Sequence, residues 1–124
     1  MKPLLSINPS TGLKIRSYNQ HNNVEIENIL NSSWEAQKVW KNTNLKFRLT
    51  CVEQLSEILS DSKREYSLLM AEEMGKPFKQ GIGEIEKCIW LCDYYIENSA
   101  KYLQDKKIKT DGQKSFVTLR PLGL

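Results

Sequence analysis

Three cysteines, one histidine and a scatter of acidic side chains are the residues of this 124-residue chain whose types could carry chemistry. Cys88 and Cys92 are four residues apart, so on a helix they share a face. A zinc site built on them lacks ligands, because the single histidine, His21, is remote in sequence. There is no Cys-x-x-Cys spacing, and three cysteines make no disulfide framework. Packing as small apolar side chains is therefore the expected role of Cys88 and Cys92. Cys51 sits beside an apolar stripe with no histidine near it in sequence, and a thiol without a base is a poor nucleophile. Glu84 and Glu86 flank Ile85 and cannot share a helix face, and Glu72 and Glu73 are adjacent; neither pair is spaced as a general acid/base couple. Gly81-Ile82-Gly83 lacks the third glycine and the preceding strand of a dinucleotide loop. Gly83 is expected instead to let another helix approach closely, at about 1 kcal/mol of helix propensity.

Most of these residues fall within 72–95, the stretch around which the rest is arranged. A helical run closes at Met74, and Gly75 stands where a left-handed cap belongs, since glycine enters that backbone region without steric cost. Lys76-Pro77 opens a new helix; proline suits a first turn, where its missing N–H has no intrahelical partner. The helical pattern then runs to about residue 103. Ile82, Ile85, Ile89, Cys92, Ile96 and Leu103 form one stripe, with Cys88, Leu91, Tyr95 and Tyr102 beside it. Trp90 and Tyr94 widen the apolar surface, so this helix expects partners on more than one side.

The remaining elements read in order. Residues 1–21 carry turn signals at Asn8-Pro9 and Thr11-Gly12, and Leu13 to Tyr18 partly alternates as a short strand does. A first helix spans about 24–41, capped by Asn22 or Asn23, with Glu25 and Glu27 in its first turn where the helix dipole favours negative charge. Its apolar face is Ile26, Ile29, Leu30, Trp34, Val39 and Trp40. A second helix starts after Asn44, with Leu45, Leu49, Val52, Leu55, Ile58 and Leu59 as its stripe. Ser60-Asp61-Ser62 predicts a kink or break, after which Tyr66, Leu69, Met70 and Met74 are expected to face inward. After Asp105 the period changes to two: 106–110 and 115–120 alternate around Asp111-Gly112, predicting a two-stranded ribbon that needs a third strand or a helix beneath it. The expected class is mainly α with a small β-ribbon (α+β): three long helices, the second kinked, then two antiparallel strands.

Composition bounds the function. Apolar residues make 40% and charged residues 27% of the chain, as in a soluble globular domain. No apolar run reaches membrane-spanning length and the N-terminus has no long apolar segment of a secretion signal, so the expectation is a cytoplasmic protein with no membrane partner. Asn31-Ser32-Ser33 matches a glycosylation acceptor, but within a helical pattern and without a secretion signal it reads as chance. A net charge of +3 with scattered lysines is too weak for a nucleic-acid partner.

Four segments in order resemble the N-terminal region of NAD(P)-dependent aldehyde dehydrogenases, the bacterial succinate-semialdehyde dehydrogenase type above all. They are Ile7-Asn8-Pro9-Ser10-Thr11-Gly12, Phe47-Arg48, Glu73-Met74-Gly75-Lys76-Pro77 followed by residues 83–99 (GEIEKCIWLCDYYIENS), and residues 115–123 (SFVTLRPLG). The resemblance spans nearly the whole chain and implies a single incomplete domain over 1–124: an N-terminal arm (1–21) like a β-hairpin, a helical layer (22–105) that packs beside the cofactor domain, and two strands (106–121) of the oligomerisation sheet. In that family a cysteine thiolate attacks an aldehyde, hydride passes to NAD+ or NADP+, a glutamate activates water to release the acid, and an asparagine and a backbone N–H steady the oxyanion. All of those groups are expected beyond residue 124, and none of Cys51, Cys88 or Cys92 stands at the nucleophile position. The resemblance further implies that Lys87 and Leu91 border the channel admitting the aldehyde. It also implies that Ser6, Ile7 and Glu73 contribute to a structural monovalent-cation site with oxygen donors. The expectation is then a dehydrogenase portion that holds no cofactor and is inactive alone, with self-association or a complementing C-terminal part as its partner. An independent helical protein-interaction module without catalytic activity is the alternative.

Overall fold

A short polar side chain or a glycine marks nearly every change of direction in this chain. The computed structural model describes residues 2–123. Two strands, β1 (Leu4–Ile7) and β2 (Lys14–Tyr18), pair antiparallel, with Leu4 opposite Tyr18 and an irregularity between Ser6 and Ile7. Their turn is held by Asn8, whose Oδ1 accepts from the N–H of Ser10 (2.9 Å) and Thr11 (3.2 Å). Gly12 completes the turn with φ at 71°, a left-handed backbone that favours glycine. The arm is thus a hairpin, as the resemblance implies.

Helix α1 (Asn23–Trp40) starts at a reciprocal cap. Asn22 Oδ1 accepts the Glu25 N–H at 3.0 Å, and Glu25 Oε2 accepts the Asn22 N–H at 2.8 Å. Helix α2 (Leu45–Asp61) is capped by Asn44, whose Oδ1 accepts the Phe47 N–H at 2.8 Å. The weak point at residues 60–62 is a full break at Ser62, so the long second helix is divided into α2 and α3 (Lys63–Met74). Four helices result among the described residues.

Gly75 ends α3 in the left-handed region at φ 69°, its N–H donating back to the Ala71 carbonyl at 3.1 Å. Pro77 stands one residue before α4 (Phe78–Tyr102) rather than in its first turn. Its carbonyl accepts the N–H groups of Gln80 (2.8 Å) and Gly81 (3.1 Å).

The long helix α4 packs against α2 on one side and α3 on the other. Ser67 is fully buried where α3 crosses α4, with its Oγ donating to the Lys63 carbonyl at 2.7 Å. Opposite it stands Gly81: a Cβ there would lie 3.1 Å from Ser67 Cα. Gly83, expected to serve this role, has nothing within 4 Å of such a Cβ. The correction has a simple cause, since two residues turn the helix by about 200° and place Gly83 on a different face. Ile85 and Cys92 continue the buried line of α4. Lys63 Nζ to Glu86 Oε1 (3.0 Å) ties α3 to α4, and Ser56 Oγ to Asp93 Oδ1 (3.3 Å) ties α2 to α4.

Several apolar residues expected to face inward do not. Tyr66 and Met70 are half-buried, but Leu69 and Met74 are 46% and 64% exposed. Along α1 every apolar side chain of the expected face is exposed, and this helix packs on none of the others beyond slight contact. Trp40 and Phe47, edge to face at 6.1 Å, bridge α1 to α2. The ribbon is shorter than its alternating pattern predicts: only β3 (Lys106–Lys107) and β4 (Phe116–Val117) pair. Among the described residues no third strand lies beside them, so further residues gain nothing from the ladder. Among the described residues no helix is long and apolar enough to cross a membrane.

The two glycines give a paired expectation. Gly83→Ala adds helix propensity in open space and should stabilise by up to about 1 kcal/mol. Gly81→Val drives side-chain atoms into the Ser67 backbone and should cost about 1–3 kcal/mol. Urea denaturation followed by circular dichroism separates them; shifts of the same sign and size would contradict the packing described.

Candidate functional site

Two regions collect the residues singled out for function, and the first is the corner where the hairpin meets the α3–α4 turn. Ser6 Oγ donates to Glu73 Oε1 at 2.9 Å across 67 residues of sequence. Beside it Pro9 Cγ lies 3.2 Å from where a Cβ on Gly75 would stand, so the arm rests on the turn itself. Gly75 is therefore required twice, by its backbone angle and by the proline above it. Ile7 follows Ser6 in β1 with its side chain largely exposed. The corner thus brings Ser6 and Glu73 into direct contact, with Ile7 adjacent in the strand. Its carboxylate, hydroxyl and main-chain carbonyls are hard oxygen donors. No cluster of three or more histidine, cysteine or acidic side chains able to hold a metal ion occurs among the described residues.

The second region is the exposed side of α4. Lys87 projects outward, its side chain 76% exposed, with Nζ 3.9 Å from Glu84 Oε1. The same Glu84 oxygen lies 3.3 Å from Lys76 Nζ, so one carboxylate serves two ammonium groups. Leu91, one turn further along, is half-exposed and lines a cavity of about 370 Å³ between α2 and α4. Leu45, Arg48, Leu49, Val52 and Tyr95 share that wall, whereas Lys87 is outside it. The two α4 residues are thus neighbours on the helix, but only Leu91 belongs to the groove.

The cysteines divide by position. Cys88 is exposed, Cys51 is intermediate and Cys92 is buried, all as free thiols. Burial pushes the Cys92 thiol above its ordinary pKa, and the nearby Asp93 and Cys88 push it the same way. A raised thiol holds less thiolate at neutral pH, which is the opposite of what a nucleophile needs. Packing is therefore the role of Cys92.

Two features carry no clear mark in the sequence. The first is an aromatic cluster along α4: Trp90 to Tyr94 (6.3 Å between ring centres), Tyr94 to Tyr95 (5.6 Å) and Tyr94 to Tyr102 (6.2 Å). The Tyr94 and Tyr102 hydroxyls hydrogen-bond, and that bond raises the Tyr94 pKa. The i, i+4 and i, i+8 spacings are the available signal. The second is Arg48, whose Nε is buried and meets no hydrogen-bond partner among the described residues. Only the three-dimensional approach of α2, α4 and the C-terminal segment shows that.

These elements have counterparts in known proteins. The aldehyde dehydrogenase family model matches residues 2–124, and the chain belongs to that family. It is 31% identical over 121 residues to a Synechocystis protein named probable succinate-semialdehyde dehydrogenase (NADP+), covering 98% of this chain and 27% of that one. Over 119 residues it is 29% identical to the Escherichia coli succinate semialdehyde dehydrogenase (NAD(P)+) Sad, covering 96% of this chain and 26% of that one. The chain thus spans about a quarter of the length of the curated relatives it matches. Among solved structures, the Streptococcus pyogenes succinic semialdehyde dehydrogenase crystallised with NADP+ superposes with a TM-score of 0.85 at 23% identity, over 92% of this chain and 25% of that one. The Methanocaldococcus jannaschii glyceraldehyde-3-phosphate dehydrogenase GapN, complexed with NADP, superposes at 0.84 with 22% identity, over 94% of this chain and 25% of that one. The hairpin, helical layer and ribbon are therefore the N-terminal portion of the aldehyde dehydrogenase fold.

Thiol chemistry checks the site assignment. Under iodoacetamide near neutral pH, Cys88 should be modified well before Cys92, because Cys92 is both buried and held in its thiol form. Peptide mass spectrometry against time reads this directly; equal rates at the two would mean that α4 is not packed as described.

Proposed function

We propose that this chain supplies the helical layer of a succinate-semialdehyde dehydrogenase that oxidises the aldehyde to the acid with NAD+ or NADP+. The observation that carries the reading is the 31% identity, over 98% of this chain, with the Synechocystis protein of that name. The chemistry falls to a complementing part of the protein. Gly81 and Gly83 lie inside α4, with Gly81 pressed against Ser67, so they form no dinucleotide loop. In this reading the cofactor is held by that complementing part.

In this reading the layer has two tasks. The Lys87 ammonium, exposed on α4, attracts the carboxylate of succinate semialdehyde toward the channel, and Leu91 forms an apolar part of its wall. Ser6, Ile7 and Glu73 hold a monovalent cation that pins the arm to the α3–α4 turn, their Oγ–Oε1 contact marking the corner. A second reading, an independent helical interaction module, draws on the same exposed apolar surface that a cofactor domain would cover. The protein works in the cytoplasm in either case.

The reading has a direct test. The 124-residue chain alone should form neither NADH nor NADPH from succinate semialdehyde. Exchanged for the corresponding segment of the Synechocystis relative, it should give an enzyme that does. Steady turnover by the pure chain above a heat-inactivated control would overturn the division of labour. A chimera that folds and binds NADP+ yet turns nothing over would overturn the role of the layer.

A further inference from the structure

Lys87 stands among carboxylates of its own helix. Glu84 lies three residues before it, with Oε1 3.9 Å from Lys87 Nζ, and Glu86 precedes it directly. Either carboxylate, left unbalanced, would repel an anion arriving at Lys87. Both are balanced from outside α4. Lys76, in the turn between α3 and α4, brings its Nζ to 3.3 Å from the same Glu84 oxygen. Lys63, at the start of α3, brings its Nζ to 3.0 Å from Glu86 Oε1. Asp93, further along α4, is turned to Ser56 of α2. The side chains of Lys76 and Lys63 are 25% and 30% exposed, far less than that of Lys87. Partly buried pairs are screened less than exposed ones, so the two glutamates belong to these lysines. The charge of Lys87 is left over.

Lys76 is held where it can do this. It follows the left-handed cap at Gly75, and its own N–H donates to the Met70 carbonyl at 3.4 Å. Pro77 fixes the next step of the chain. Lys76 and Lys87 meet one oxygen of Glu84, so their ammonium groups lie no more than about 7 Å apart. At about 7 Å in water, a unit charge changes the local concentration of an anion by about threefold.

We propose that Lys76 is a positioning residue for substrate charge: it takes up Glu84, so that Lys87 presents an unbalanced positive charge that selects an aldehyde bearing a carboxylate over an uncharged one of the same length. The proposal rests on the reading that Lys87 borders the channel. Its charge logic is specific. Without Lys76, Glu84 and Lys87 cancel. Without Glu84, two positive charges face the arriving anion. Without both, the single positive charge of the native arrangement returns.

The field is read first on the 124-residue chain itself. Lys87 is acetylated with the N-hydroxysuccinimide ester of acetate and, separately, with its sulfonated, anionic form, and peptide mass spectrometry follows both. The ratio of the two rates cancels the reactivity of the amine and reports the local potential. Lys76→Gln lowers that ratio by about threefold, Glu84→Gln raises it, and the double variant returns it to the native value. The differences vanish in about 1 M salt. Circular dichroism confirms that each variant is helical. A ratio indifferent to Lys76→Gln, or a double variant no nearer the native value than Lys76→Gln, overturns the proposal. The consequence for turnover is read in the chimera with the Synechocystis relative. There Lys76→Gln raises the KM for succinate semialdehyde by about threefold, while kcat and the KM for butanal stay as they were, and adding Glu84→Gln restores it. Lys87→Gln separates the proposal from the reading beneath it. If Lys87→Gln lowers the preference for succinate semialdehyde over butanal and Lys76→Gln does not, the proposal alone fails. If Lys87→Gln leaves that preference unchanged, the channel reading fails and the proposal with it.

Discussion

The close crossing of α3 over α4 at Ser67 and Gly81 is the contact on which the helical layer depends. A helix pair normally keeps its axes about 8–10 Å apart, set by the side chains between them. Here one partner offers a hydroxyl that turns back on its own helix, and the other offers no side chain at all. That approach fixes the angle at which α4 leaves the Gly75 turn. It thereby fixes the line of Ile85 and Cys92 against α2, and the platform on which Pro9 and Ser6 rest. Displacing α4 would disturb the groove, the corner and the aromatic cluster together.

Beyond this centre the layer buries little. Among the described residues Ile85 and Cys92 are the buried hydrophobic side chains, while the tryptophans Trp34, Trp40 and Trp90 are exposed. A monomer seldom leaves apolar surface of this extent uncovered. The uncovered faces are the α1 stripe, the α2–α4 groove and the outer side of α4. In relatives whose chains are about four times as long, additional protein is at hand to cover such faces.

Much of this is legible in the residues. Gly75 marks the left-handed cap, Asn22 and Asn44 mark helix starts, and the apolar spacing of residues 82–103 marks α4, because each signal is local. The family is legible for a different reason: four motifs stand in order along the chain. What escapes is set by tertiary approach. Apolar spacing names the face that seeks burial, not whether a partner exists, so the inward roles expected of Leu69 and Met74 fail. Two glycines in one turn look alike until the opposing helix selects Gly81 over Gly83. The Ser6–Glu73 contact joins residues 67 apart and is expected only through the family resemblance. Arg48 has no local mark, since its unmet Nε follows from what surrounds it.

Hydrogen exchange tests the central claim, that α2, α3 and α4 form one packed unit through the Ser67–Gly81 crossing while α1 has little support within the chain. Local opening free energies rank elements by how much packing must be undone to expose their amides. At a concentration low enough to keep the chain monomeric, α4 amides from Gly81 to Cys92 should be the slowest to exchange, with α3 near Ser67 close behind. The α1 amides from Asn23 to Trp40 should exchange orders of magnitude faster. Protection of α1 equal to that of α4 in the dilute monomer would contradict the account, because it would require more packing on α1 than the Trp40–Phe47 contact and the approach of Gly123 to Trp34 provide.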